Sequence, residues 1–186
     1  MGIPKIILGF VGPLASGKGT CCKYLAERQG AKTYRFSSIL RDILTRLHLP
    51  HTRGNLQDVS LGLRNALGDD VLAKAIADDV AADTGDVVTV DGIRRLPDIK
   101  HVRMLDGFHL VAIVADERVR YVRLTQRHEN ADDERKTFAD FVKDGQQEAE
   151  RQISEIVSRA EFTVDNDGPL EELYEQLDKI VHKLKT

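Results

Sequence analysis

Short apolar runs rich in β-branched residues fall at 5–11, 87–90, 109–114 and 162–164, and a weaker candidate spans 32–36. Their length and their abrupt ends at glycine, proline and aspartate read as strands. Between them the apolar positions follow a helical period. Ile153, Ile156, Val157 and Ala160 mark one face, and Leu170, Leu173, Leu177, Ile180, Val181 and Leu184 mark another. Pro169, just past Asp167-Gly168, is placed to open that last helix. Strands that alternate with helices, and are apolar along their whole length, predict a parallel sheet covered on both faces. The fold class expected is α/β: one domain of three layers with a five-stranded parallel sheet. The stretch 37–85 is helical by pattern and long for a single crossover. It predicts a helical lobe beside the sheet, with its turn at His48–Gly54.

Composition narrows the class without choosing a function. The chain of 186 residues is 41% apolar and 31% charged, which fits one soluble globular domain with a sizeable core. A net charge of −3 supplies no broad basic field to draw in nucleic acid. No apolar run approaches the roughly 20 residues of a membrane span, and the N-terminus lacks a signal-peptide pattern. The chain is therefore expected in the cytoplasm. Cys21 and Cys22 are adjacent and make neither a disulfide framework nor a metal site. The six histidines have no metal-ligand spacing.

Chemistry enters at Gly12-Pro13-Leu14-Ala15-Ser16-Gly17-Lys18-Gly19-Thr20, between the first apolar run and a helix expected over Cys21–Gln29. Strand, glycine-rich turn and helix in that order form a phosphate cradle. The glycines let backbone N–H groups turn inward, the helix N-terminus adds partial positive charge, and Lys18 adds a full one. Gly12, Ala15, Ser16, Gly17, Lys18, Gly19 and Thr20 are the residues expected to hold a nucleotide's phosphates. The usual pattern has Ser or Thr directly after the lysine to reach Mg²⁺. Here Gly19 takes that place and Thr20 follows one residue later.

Val87-Val88-Thr89-Val90-Asp91 is a strand ending in a carboxylate. An Asp at that place holds Mg²⁺ in phosphate-binding proteins of this kind, or else merely caps the strand end. Gly92 and Arg94 follow at once, at the edge where open α/β sheets bind ligands. Arg120, Arg123 and Arg127 are spaced to share one helix face. They suit a lid closing on a transferred phosphoryl group. The alternative is a solvated basic face paired with Glu117 and Glu129.

These segments resemble the nucleoside-monophosphate kinase and dephospho-coenzyme A kinase branch of the P-loop kinases. Gly12–Thr20 is similar to the adenylate-kinase loop. Ser38-Ile39-Leu40-Arg41 resembles the Asp-Met-Leu-Arg segment that brings an arginine to the acceptor phosphate. Asp91-Gly92-Ile93-Arg94 is similar to Asp-Gly-Phe-Pro-Arg, one residue shorter, and 160–168 resembles the last strand of dephospho-CoA kinases. Over nearly its whole length the chain resembles a group of mainly archaeal, poorly characterised dephospho-CoA-kinase-like proteins. They share the Val-Val-x-x-Asp-Gly-Ile-Arg run and a late Asp-Asp, here Asp132-Asp133, before a helix bearing Phe138.

The resemblance implies a P-loop kinase that uses ATP and Mg²⁺. Thr20 and Asp91 are the implied metal residues. Ser38, Arg41, Arg64, Asp91 and Arg94 are implied at the acceptor, with Arg53 a further candidate, although a surface role suits Arg53 and Arg64 equally. Lys18, Arg94, Arg123 and Arg127 are implied in catalysis, within a lid region at 118–140. Asn166 falls where the family contacts adenine, although capping the final turn suits it equally. A hydroxyl acceptor benefits from a general base, whereas a phosphate arrives ionised and needs arginines only. Ser37 and Ser38 stand where dephospho-CoA kinases carry an acid, which favours a nucleoside monophosphate. Asp42 and Asp91 keep the dephospho-CoA alternative open. An ATPase switch and a non-catalytic nucleotide-binding module are the rival classes. A GTPase is disfavoured, because the guanine-reading Asn-Lys-x-Asp pattern is absent.

Overall fold

The computed structural model describes residues 5–126, 137–145 and 148–186. Its strands are β1 (Ile6–Val11), β2 (Lys32–Arg35), β3 (Val87–Asp91), β4 (Phe108–Val114) and β5 (Phe162–Asp165). They form one sheet in the order β2-β3-β1-β4-β5, and every neighbouring pair is parallel. All five apolar runs read from the sequence are strands, and the expected α/β fold is the fold observed.

The sheet is buried on both sides because β1 is apolar at both parities. Ile6, Leu8 and Phe10 join one core cluster with Cys21, Cys22 and Leu25, and with Leu173 and Leu177. Ile7 and Val11 join the opposite cluster with Leu72, Ile76, Val80, Ile153 and Ile156. Helices α1 (Lys18–Gln29) and α9 (Leu170–Lys185) therefore cover one face, and α4 (Val71–Ala82) and α8 (Glu148–Val157) the other. Each large side chain so removed from water contributes about 1.5–3 kcal/mol. The first and last helices are also joined by stacked rings: Tyr24 and Tyr174 lie 4.0 Å apart at 5°. The Tyr24 hydroxyl donates to Asp178 Oδ2 at 2.8 Å.

The helical stretch after β2 divides into three. Helix α2 (Phe36–Arg46) buries Phe36, Leu40 and Leu44, and α4 lies against the sheet. Between them α3 (Arg53–Leu67) packs on α2 and α4 and buries only Ser60 among its described side chains. Thr52 caps α3 by accepting from the Asn55 amide. The turn expected at His48–Gly54 is thus cut short by two residues of helix.

Beyond β3 a short helix, α5 (Leu96–Ile99), has no counterpart in the sequence reading. Buried Asp98 organises it by accepting from the Arg94 and Arg95 amides, each at 3.0 Å. Four residues are too few to register a helical period. Helices α6 (Glu117–Gln126) and α7 (Phe138–Gly145) lie on either side of residues outside the description.

Strands β1 and β3 are neighbours whose onward connections leave in opposite directions, to β2 and to β4. Their carboxyl ends therefore flank a crevice, and this is where an open α/β sheet binds ligands. Among the described residues no helix is long and apolar enough to cross a membrane.

Candidate functional site

The cradle occupies that crevice. β1 ends at Val11, and the chain turns back on itself through a bond from the Ser16 amide to the Pro13 carbonyl at 3.2 Å. Ala15 has φ +61° and Gly17 has φ +105°. The left-handed conformation at Gly17 starts α1, whose first bond runs from the Cys21 amide to the Gly17 carbonyl at 3.1 Å. Lys18 lies in the first turn and folds over the loop. Its Nζ donates to the carbonyls of Gly12 at 2.7 Å and Pro13 at 3.0 Å. Thr20 stands in the same turn, half-buried.

Asn166 supports the loop from beneath. Its Nδ2 donates to the Ser16 carbonyl at 2.8 Å, and its own amide donates to Val114 O at 2.8 Å. A Cβ on Gly17 would lie 2.1 Å from that Nδ2. Glycine at 17 thus answers two demands, its φ and the close approach of Asn166. The helix that follows β5 is entered through Pro169, so the Asn166 side chain serves the cradle rather than the final turn.

Helix α6 adds charge from the other side. Arg120 donates from Nη1 to the Leu14 carbonyl at 3.2 Å and from Nε to Ala115 O at 3.1 Å, with its guanidinium 5.3 Å above the Phe141 ring. Arg123 reaches Asn166 Oδ1 from Nη2 at 3.5 Å. Of the three arginines expected on one face, Arg120 and Arg123 turn to the cradle. Arg127 and Asp132-Asp133 lie outside the described residues.

Two buried polar atoms here have no hydrogen-bond partner among the described residues: Ser16 Oγ and Arg123 Nη1. Buried donors without partners are costly. A hydroxyl and a guanidinium beside a nest of loop amides match phosphate oxygens. The residues present therefore fit a nucleotide's phosphates. Among the described residues no cluster of three or more His, Cys, Asp or Glu could hold a metal ion.

Asp91 ends β3 beside the cradle. Its Oδ1 accepts from the Gly92 amide at 2.8 Å and its Oδ2 lies 3.1 Å from Arg35 Nε. Arg35 is the functional candidate that sequence reading missed. It closes β2 directly opposite Asp91 in the parallel register, and only that pairing brings a charge on a weak edge strand to the site. Its Nη2 would be 4.0 Å from a Cβ at Gly19, so it also lies over the first turn of α1.

The other acceptor candidates are spread over the lobe. Ser38 is exposed at the start of α2. Arg41, one turn further on, is exposed and donates to Ser37 Oγ at 2.7 Å. Arg94 is exposed just past β3. Its neighbour Arg95 is turned away to Asp69 at 2.8 Å and Asp98 at 3.2 Å. Arg64 of α3 approaches this pair, and burial followed by the Arg95 charge pushes its guanidinium below its ordinary range. The side chain of Arg53 is not described. Cys21 and Cys22 are buried, unpaired thiols on the core side of α1, both pushed up to about 12, chiefly by burial.

Fold and cradle together define a P-loop kinase-like protein. The AAA domain family matches residues 11–140, and the chain belongs to that family. It is 28% identical over 182 residues to a UPF0200 protein of Saccharolobus islandicus, covering 97% of this chain and 94% of that one. A UPF0200 protein of Methanoregula boonei is 29% identical over 180 residues, covering 96% and 97%. Among solved structures, the shikimate kinase of Bacteroides thetaiotaomicron superposes with a TM-score of 0.65 at 14% identity, over 97% of this chain and 99% of that one. The shikimate kinase of Acinetobacter baumannii, solved with shikimate, gives 0.55 at 15%, over 98% and 94%. These UPF0200 relatives are archaeal, like the group that the sequence resembles, and the solved kinases share the chain's fold.

Proposed function

We propose that the protein is an ATP- and Mg²⁺-dependent phosphotransferase whose acceptor is a nucleoside monophosphate. The observation that carries this reading is the cradle itself. Lys18, the loop amides, Ser16 Oγ and Arg123 converge on one small volume at the carboxyl edge of the sheet, with two of these donors unsatisfied. Such preorganised positive charge stabilises a moving phosphoryl group.

In the reaction, the bond from the γ-phosphorus to the β,γ-bridging oxygen breaks and ADP leaves. A new bond forms from that phosphorus to an acceptor phosphate oxygen. Thr20 and Asp91 would hold Mg²⁺, which supplies charge neutralisation on the phosphate oxygens. Lys18 and the backbone N–H groups of residues 14–20 hold the β and γ phosphates. Arg123 and Arg127 offset the charge that develops. Ser38, Arg41, Arg64 and Arg94 receive the acceptor.

An ionised acceptor is favoured over a hydroxyl by the state of Asp91. Each oxygen already has one partner, Gly92 or Arg35. The lone pairs left over would suit a metal ion reached through water, whereas a base must turn a free oxygen to an incoming alcohol. The test is ADP release from ATP and Mg²⁺ over the ribo- and deoxyribonucleoside monophosphates, dephospho-CoA, shikimate and water. Stimulation by one monophosphate, with the diphosphate seen by mass, is the expected result. Stimulation by dephospho-CoA or shikimate alone moves the acceptor to a hydroxyl. A rate that no acceptor changes replaces the kinase with an ATPase switch.

A further inference from the structure

We infer that Arg35 selects a phosphate-bearing acceptor, acting as a guanidinium fork held between the nucleotide cradle and the acceptor lobe. The inference rests on the kinase reading above and gives one unforeseen residue a role in it.

Position comes first. Arg35 is the last residue of β2 and the cap of α2, which starts at Phe36 with no intervening loop. A strand-to-helix junction leaves its Cα little freedom. The register sets it against Asp91, and Gly19 lies beneath its guanidinium. It therefore borders the cradle on one side and opens the lobe that carries Ser38 and Arg41 on the other.

Orientation comes next. Arg35 and Asp91 form an ion pair in which Nε is 3.1 Å from Oδ2. The two Nη groups have no partner among the described residues, and the side chain is 45% exposed whereas that of Asp91 is 16% exposed. A guanidinium whose Nε side is paired with a carboxylate leaves its two Nη groups as a planar fork. That fork matches two oxygens of one phosphate or carboxylate, and it cannot be matched by a neutral hydroxyl. Asp91 is the partner that fixes the fork, so the pair works as a positioning unit. The α2 N-terminus adds partial positive charge next to it, with no acidic residue in the first turn.

The test separates charge recognition from mere support of the fold. Calorimetry would measure binding of AMP, CMP, GMP and UMP, and of the matching uncharged nucleosides, in the presence of a non-hydrolysable ATP analogue. The proteins would be wild type, R35A and R35K. Wild type is expected to prefer a monophosphate to its nucleoside by well over tenfold. In R35A that preference falls at least tenfold, while affinity for the ATP analogue stays within about threefold. R35K, which keeps the charge and loses the fork, falls in between. An unchanged monophosphate preference in R35A or in R35K overturns the inference, as does a wild type that binds no monophosphate. If wild type binds a monophosphate through Arg35 yet transfers no phosphoryl group to it, the kinase reading fails and the assignment of Arg35 stands.

Discussion

The side-chain amide of Asn166 donates to the Ser16 carbonyl at 2.8 Å, across 150 residues of sequence. The cradle is thus held by the segment that follows the last strand as well as by its own glycines. Asn166→Ala removes the donor and leaves a buried carbonyl unsatisfied, which costs about 1–3 kcal/mol. The expected outcome is a lower denaturation midpoint and roughly tenfold weaker binding of a non-hydrolysable ATP analogue. Calorimetry and denaturant titration check both, and unchanged nucleotide affinity would refute the supporting role.

Gly17→Ala meets the same amide. The new methyl would sit 2.1 Å from Asn166 Nδ2, in a backbone with φ +105°. The conformation alone costs about 1–2 kcal/mol. The double variant Gly17→Ala with Asn166→Ala loses the clash and keeps the conformational penalty. Its destabilisation is expected to fall short of the sum of the single variants by on the order of 1 kcal/mol. Denaturant midpoints of the four proteins measure that coupling, and strict additivity would contradict the contact.

Lys18→Ala probes the charge rather than the scaffold. In the structure Nζ donates to the carbonyls of Gly12 and Pro13 on the cradle rim, outside both core clusters. The far-ultraviolet circular dichroism is expected to match wild type. Turnover should fall by a factor of about 100–1,000, equivalent to roughly 3–4 kcal/mol of transition-state stabilisation. Near-normal turnover would remove the lysine from the chemistry.

Acid sensitivity should be legible at Asp70. Hydrogen bonds from Lys100 and then His101 hold its carboxyl at about 2, below an ordinary value of 3.8. A depressed carboxyl favours the folded chain when ionised. Its contribution is present above the ordinary value and is lost as pH falls through the folded one. Asp70→Asn should therefore lower the denaturation midpoint near neutrality, with the gap from wild type closing by about pH 2. A gap that is constant across that range would rule out the linkage.

What could be read in advance follows from how local each signal is. β1, β3 and β4 are long and apolar enough to be found by pattern, and the cradle is a contiguous motif. Arg35 was beyond reach because its meaning lies in the pairing with Asp91, which is set by register between strands 56 residues apart at Thr33 and Thr89. Arg94 is expected as a site residue from its motif, whereas the ties of its neighbour Arg95 were hidden. Adjacent arginines look alike in sequence, and only the placement of Asp69 and Asp98 decides which one is tied down. Asn166 was recognised as a site residue, but the direction of its amide depends on how β5 seats beside β4. Helix α4 was read with the lobe, because the same apolar period serves a helix that projects and one that lies on a sheet.

The Asn166–Ser16 bond also sets an order of events during synthesis. The glycine loop leaves the ribosome ahead of its support, which is encoded 150 residues later. At about 5–20 residues per second the loop waits roughly 8–30 s for that support. Until then only the loop's own turn holds it, so the supported form of the cradle exists only once β5 is in place.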